Sequence, residues 1–196
     1  MTGFLKKIPI NSIAAIMDRM DLSETAQKIL SPEDTPQTAL IKLDNENTEI
    51  DLISFFAHAL PLREGVCWGL NCLSQLDAVQ EQQSSPALTL VKAWVETPSE
   101  QNRVLCQAEA VELGTEGPLG WLCLAVDWNG SGSIAPPGDP IVMPAPSLYC
   151  KALFGAVALS LDKDEDDRAQ LMETYKLYGF ALANGEWPLP KLGVMI

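Results

Sequence analysis

From Glu49 to Leu182 the large apolar residues recur every three or four positions and not at every second one, and that spacing commits the chain to helices. In EIDLISFFAHAL, Ile50, Ile53, Phe56 and Leu60 fall on one side with Leu52 and Phe55 beside them, and Pro61 then ends the segment. Near the end of the chain, Leu171, Tyr175, Tyr178 and Leu182 repeat the same spacing. Between them, SLYCKALFGAVALSL is apolar nearly all round, the pattern of a helix at the centre of a bundle. No alternating stretch of comparable strength competes with these. The expected fold is therefore all-α, a single domain of stacked antiparallel helices. Residues 1–48 are more polar, with short helices such as the Ser23-capped DLSETAQKIL, and form an N-terminal helical arm or subregion. Residues 49–196 form the helical core domain.

ALTLVKAWVETPSEQNRVLCQAEAVELG reads as two helices around Thr97-Pro98-Ser99. Val91, Trp94 and Val95 face the core from the first; Cys106, Ala110 and Leu113 make a stripe that permits close approach from the second. GPLGWLCLAVDWNG is short and apolar, and NGSGSIAPPGDPIVMPAPS follows it. The prolines exclude helix there, so this stretch is a long loop, a form of backbone that can present a binding surface.

Within HALPLREGVCWGLNCL an apolar segment carries two adjacent charges, Arg63 and Glu64, just after a proline. A helix from Pro61 to about Gln75 explains both: proline suits the first helical position, and Glu64 meets the positive end of the helix dipole. Neighbours on a helix project about 100° apart, so the two are not a preformed catalytic dyad. Arg63 is expected to reach a carboxylate or a helix C-terminus on another segment, and an ion pair there would set how two helices meet.

Charge narrows the choice of partner. A formal net charge of −13 leaves no clustered Lys and Arg for phosphates, so no nucleic-acid partner is expected. A basic protein or a cation would be drawn in, and anionic lipid repelled. The N-terminus has no signal-peptide pattern and no apolar run is long enough to span a bilayer, so a cytoplasmic location with no membrane partner is expected. Cys67, Cys72, Cys106, Cys123 and Cys150 lie singly in apolar surroundings, as reduced, buried thiols do.

Chemical motifs are sparse. His58 is the only histidine, and Pro61 separates it from Cys67, which works against a Cys-His pair. An enzyme built on Cys67, Arg63 and Glu64 is the weakest class. Two stretches imitate a calcium loop. Asp127, Asn129, Ser131 and Gly132 have the right intervals, but Gly138 stands where a bidentate carboxylate is required. In DKDEDDRAQLME, Asp162, Asp164, Asp166 and Glu173 fit, but Asp167 replaces the turn glycine, and a capped acidic helix start accounts for the charges. No cofactor and no metal are expected, and the sequence leaves the oligomeric state open.

ALPLREGVCWG, WVETPSEQNRVLC, GSGSIAP and the proline-rich stretch after it resemble an uncharacterised family of bacterial helical proteins associated with type VI secretion loci. Its Leu-Pro-x-Arg-Glu-Ala-Val-Trp-Trp pattern is matched by Leu60, Pro61, Arg63, Glu64, Val66 and Trp68, its later positions by Trp94, Pro98, Arg103, Gly132, Ser133 and Pro136. Gly65 and Cys67 depart from it. The resemblance spans Glu49 to Leu161 and implies a context, with no activity to transfer. In that context the expected function is a non-catalytic binding protein, an adaptor or chaperone for a secreted effector. An immunity protein neutralising a toxin and a calcium-binding or metal-regulated protein are the alternatives. Partner contact is assigned to Trp128, Ser131, Ser133, Asp139 and Trp187, and the helix start and ion pair to Arg63 and Glu64.

Overall fold

The structure, a computed structural model, describes residues 5–79, 85–136 and 138–187, with backbone alone at 77–79. Those residues form ten helices and no strand: α1 (Ala14–Met17), α2 (Glu24–Ile29), α3 (Pro36–Asn45), α4 (Glu49–Ala59), α5 (Leu62–Val79), α6 (Pro86–Glu96), α7 (Glu100–Leu113), α8 (Pro118–Asp127), α9 (Leu148–Ser160) and α10 (Glu165–Ala183). The fold is all-α. Proline opens α3, α6 and α8, where its missing N–H costs nothing. Ser23, Thr35, Ser99 and Asp164 each accept a backbone N–H at a helix start. The acidic run after Lys163 is thus the start of α10, with Asp164 as its cap.

The helix that the rest surround is α5, which touches α4, α6, α8, α9 and α10. It is buried continuously from Glu64 to Ser74. Its sequence hides this, because Asn71 and Ser74 look like a polar face. In the structure Asn71 Nδ2 donates to the Cys67 carbonyl at 2.7 Å and Ser74 Oγ to the Asn71 carbonyl at 2.7 Å, so both find partners within the helix. The apolar α9, expected at the centre, packs on α8, α5 and α4 but leaves Lys151 and Leu159 exposed. Ile50 and Leu113 are also exposed, outside the stripes assigned to them.

Trp68 joins α5 to α10. Its Nε1–H donates to the Tyr175 carbonyl at 3.0 Å, and Phe56 lies between it and Phe180 with ring centroids 5.5 Å from each. Tyr175 in turn shares a 2.9 Å hydrogen bond with Ser160 of α9. The first part of the chain is tied to this core. Ile8, Ile13, Ile16 and Ala26 are buried in the same cluster as Trp68 and Leu153, and the Lys7 N–H donates to the last helical carbonyl of α10, Ala183, at 2.9 Å.

Candidate functional site

Where α5 begins, α6 ends and α7 begins, the chain leaves an open groove of about 580 Å³. Pro61, Leu62, Arg63 and Glu64 form one side, Trp94 and Pro98 to Glu100 the other, and Asn129 and Ser131 of the α8–α9 loop close one part. Pro61 and Arg63 of the Leu-Pro-x-Arg-Glu stretch are therefore exposed at the mouth of a recess, while Leu60 and Glu64 are buried beneath it. Its charges, however, are already engaged. Arg63 donates from Nε to the Val95 carbonyl at 2.7 Å and from Nη2 to the Glu96 carbonyl at 3.1 Å, so it closes the C-terminus of α6. Of the two partners the sequence allows Arg63, it takes the helix end. The guanidinium carbon also lies 4.9 Å from the ring centre of Trp187, a cation–π contact. The ion pair falls to Glu64, with Lys7 at 2.8 Å. Helix α5 begins at Leu62, one residue later than proline at the first helical position predicts.

A second polar group backs the groove. Arg103, 3% exposed, grips Glu100 with two bonds of 2.7 Å and turns its Nη1 to the buried carboxylate of Asp127 at the end of α8. That pairing holds Glu100 below the ordinary carboxylate value. Burial acts the other way on Asp127 and pushes it up to about 6, against the pull of Arg103. Gly132 lies on the guanidinium so closely that a Cβ would fall 2.6 Å from Arg103 Nε. The Gly/Ser turn is thus the lid of a buried ion pair. Asp127 is not free to ligate calcium, and among the described residues no three His, Cys, Asp or Glu gather as a metal site needs.

The residues assigned to partner contact are distributed unevenly. Ser131 is exposed and lines the groove, its N–H donating to Asn129 Oδ1 at 2.6 Å. Ser133 is half-buried and organises the loop: its Oγ accepts from Ala135 N and Val142 N at 3.1 Å each, and its carbonyl from Gln107 Nε2 at 3.4 Å. Asp139 is exposed at the loop's tip, where its N–H donates to the Pro136 carbonyl at 3.1 Å. Trp128 is half-buried and packs edge-on against Trp121, with centroids 6.2 Å apart. Trp187 is half-buried under Arg63. Arg103 and Glu100 were not among the assigned residues; the spacing of i and i+3 on one helix, with an isolated Arg in an acidic stretch, is the signal that could have found them.

Cys67 and His58 stand apart from the groove. All five cysteines are free and buried, and burial pushes the Cys67 thiol up to about 12, so the nucleophilic thiolate is disfavoured. His58 bonds through Nδ1 to the Ser54 carbonyl at 2.8 Å, while its buried Nε2 has no hydrogen-bond partner. Burial lowers its pKa below 6.5, and the nearby charges of Arg19 and Lys151 add to that. A histidine depressed in the folded state is charged more readily when unfolded, so its neutral form supports the fold above pH 6.5 and that support is lost as pH falls. Urea unfolding at pH 7.5 and at pH 5 should therefore show a decline that His58→Gln reduces; an unchanged decline in the variant contradicts this.

Among the described residues no helix is long and apolar enough to cross a membrane. Comparison with curated proteins and with solved structures gives no match. A family profile does match, over residues 39–183, a span that contains every wall of the groove, the Arg103 cluster and all of α10. The motifs at Leu60–Trp68, Trp94–Arg103 and Gly132–Pro136 all lie inside it, and the chain belongs to this family, the family of unknown function DUF6931.

Proposed function

We propose that this protein is a non-catalytic binding protein that acts by protein–protein contact, with the groove between α5, α6 and α7 and the adjoining loop as its recognition element. In this reading the helices stack antiparallel as one cytoplasmic unit, and the protein serves type VI secretion in bacteria as an adaptor or chaperone for a secreted effector. The single observation that carries the binding reading is that Arg63, Glu64 and Glu100 all reach the groove with their charges engaged, by helix carbonyls, Lys7 and Arg103. Charges held in this way shape a recess, and the two carboxylates that line it are engaged by Lys7 and Arg103. The type VI setting is supported by the motif resemblance alone.

The test is isolation of complexes from the native cell at about 0.15 M salt, where weak surface attraction is screened. A stoichiometric protein partner is expected, lost in Ser131→Trp, which fills the groove mouth without touching the core, and kept in Leu177→Ser on the exposed side of α10. A complex indifferent to Ser131→Trp, or no complex at all, refutes the reading. Rescue of cells from one toxin would favour the immunity alternative; a requirement for loading that effector would favour the adaptor.

A further inference from the structure

The two most exposed large apolar side chains among the described residues are Ile141, 81% exposed, and Val111, 77% exposed. They are far apart in sequence, but a chain of hydrogen bonds links the two segments that carry them. Val104 and Val111 lie three residues before and four after Gln107 on α7, so the three share a face. Gln107 donates to the Ser133 carbonyl, Ser133 Oγ accepts from Val142 N, and Ile134 N donates to the Val142 carbonyl at 2.9 Å. These bonds tie the Ile141–Met143 segment through Ser133 to Gln107, and Val104, Val142 and Met143 are also exposed. Large apolar side chains left in water on a helix and on the loop bonded to it mark a surface for contact with another molecule.

The charge around it identifies the kind of molecule. Between Val104 and Cys150 the chain has no Lys, Arg or His, and five carboxylates. Asp127 is buried on Arg103; Glu112, Glu116 and Asp139 are exposed, Glu109 half-buried, and none of these four takes part in an ion pair among the described residues. A second copy of this chain would bring carboxylate against carboxylate, and an anionic membrane would be repelled.

We propose that the surface made by α7 and the described loop residues 133–136 and 138–143 docks a basic amphipathic segment of a partner protein, its apolar side on Val111 and Ile141 and its Lys or Arg residues against Glu112 and Asp139. The proposal rests on the binding reading above and assigns the partner's chemistry. It also separates two surfaces: the groove, whose charges are internally paired, and this face, whose carboxylates are not.

The test uses three labelled synthetic peptides at about 0.15 M salt, with fluorescence anisotropy as the readout: an amphipathic Leu/Lys helix, its Leu/Glu twin and a Ser/Lys peptide of equal charge. The Leu/Lys peptide is expected to bind saturably, the other two at least about tenfold more weakly, and Val111→Ser with Ile141→Ser to weaken it by a similar factor. Both substitutions are at exposed positions, and an unchanged circular dichroism spectrum confirms folding; Leu177→Ser should leave binding as it is. Equal affinity for the Ser/Lys peptide, indifference to the two substitutions, or no binding overturns the proposal. The defined peptides need no native partner. A native complex lost in Ser131→Trp but unmoved by the Val111 and Ile141 changes would leave the binding reading standing and sink this one.

Discussion

Arg103→Ala is expected to destabilise the protein by about 3–5 kcal/mol, the cost of stranding a buried charge. The reason is Asp127. Its carboxylate is 2% exposed at the end of α8, and Arg103 lies against it from α7. Glu100 is more than half exposed and would simply return to water. The second effect is on the loop: with the guanidinium gone, Gly132 loses the surface it rests on, and the groove loses its backing. Urea unfolding measures the first effect and proteolysis between Trp128 and Ser147 the second. Adding Asp127→Leu to Arg103→Met should recover most of the loss, since removing both partners leaves no stranded charge. A single variant that costs less than about 1 kcal/mol would show the pair to be dispensable.

Gly120→Ala is expected to cost about 2–3 kcal/mol, although alanine is the better helix former by about 1 kcal/mol. A Cβ at position 120 would fall 1.8 Å from the carbonyl oxygen of Gly114, backbone that no rotamer change can move aside. To admit it, the turn between α7 and α8 must open, and that turn depends on Gly114 at φ +64°. Gly117→Ala is the control, because a Cβ there meets nothing within 4 Å. Thermal unfolding of the two variants should differ clearly. If both melt like the parent, α8 does not pack on the α7 turn as described.

The adjacent charges of Arg63 and Glu64 show how much of the site the sequence carries. Proline, the helix dipole and the angle between neighbours on a helix are local effects, so the all-α class, the helix beginning near Pro61 and the absence of an Arg63–Glu64 dyad follow from spacing alone. That Arg63 closes α6 and lies over Trp187, while Glu64 takes Lys7, depends on residues 32 to 124 positions away and had no local signal. Helix α8 reads in the sequence only as a short apolar stretch, although Pro118 marks its first residue, because ten residues carry too little periodicity to distinguish helix from other buried backbone. Asp127 shows the opposite failure. Its spacing imitated a calcium loop, and a carboxylate's sequence neighbours say nothing about the arginine that folding brings to it.

Local chemistry determined that this chain is helical from apolar spacing, where several of its helices begin from prolines and caps, and that its formal net charge is −13. Which helix is central, which acids are buried and which apolar residues remain in water were decided by tertiary packing. The physical reason is range: dihedral preference and capping act over one helical turn, whereas burial and charge pairing depend on segments that only the folded chain brings together.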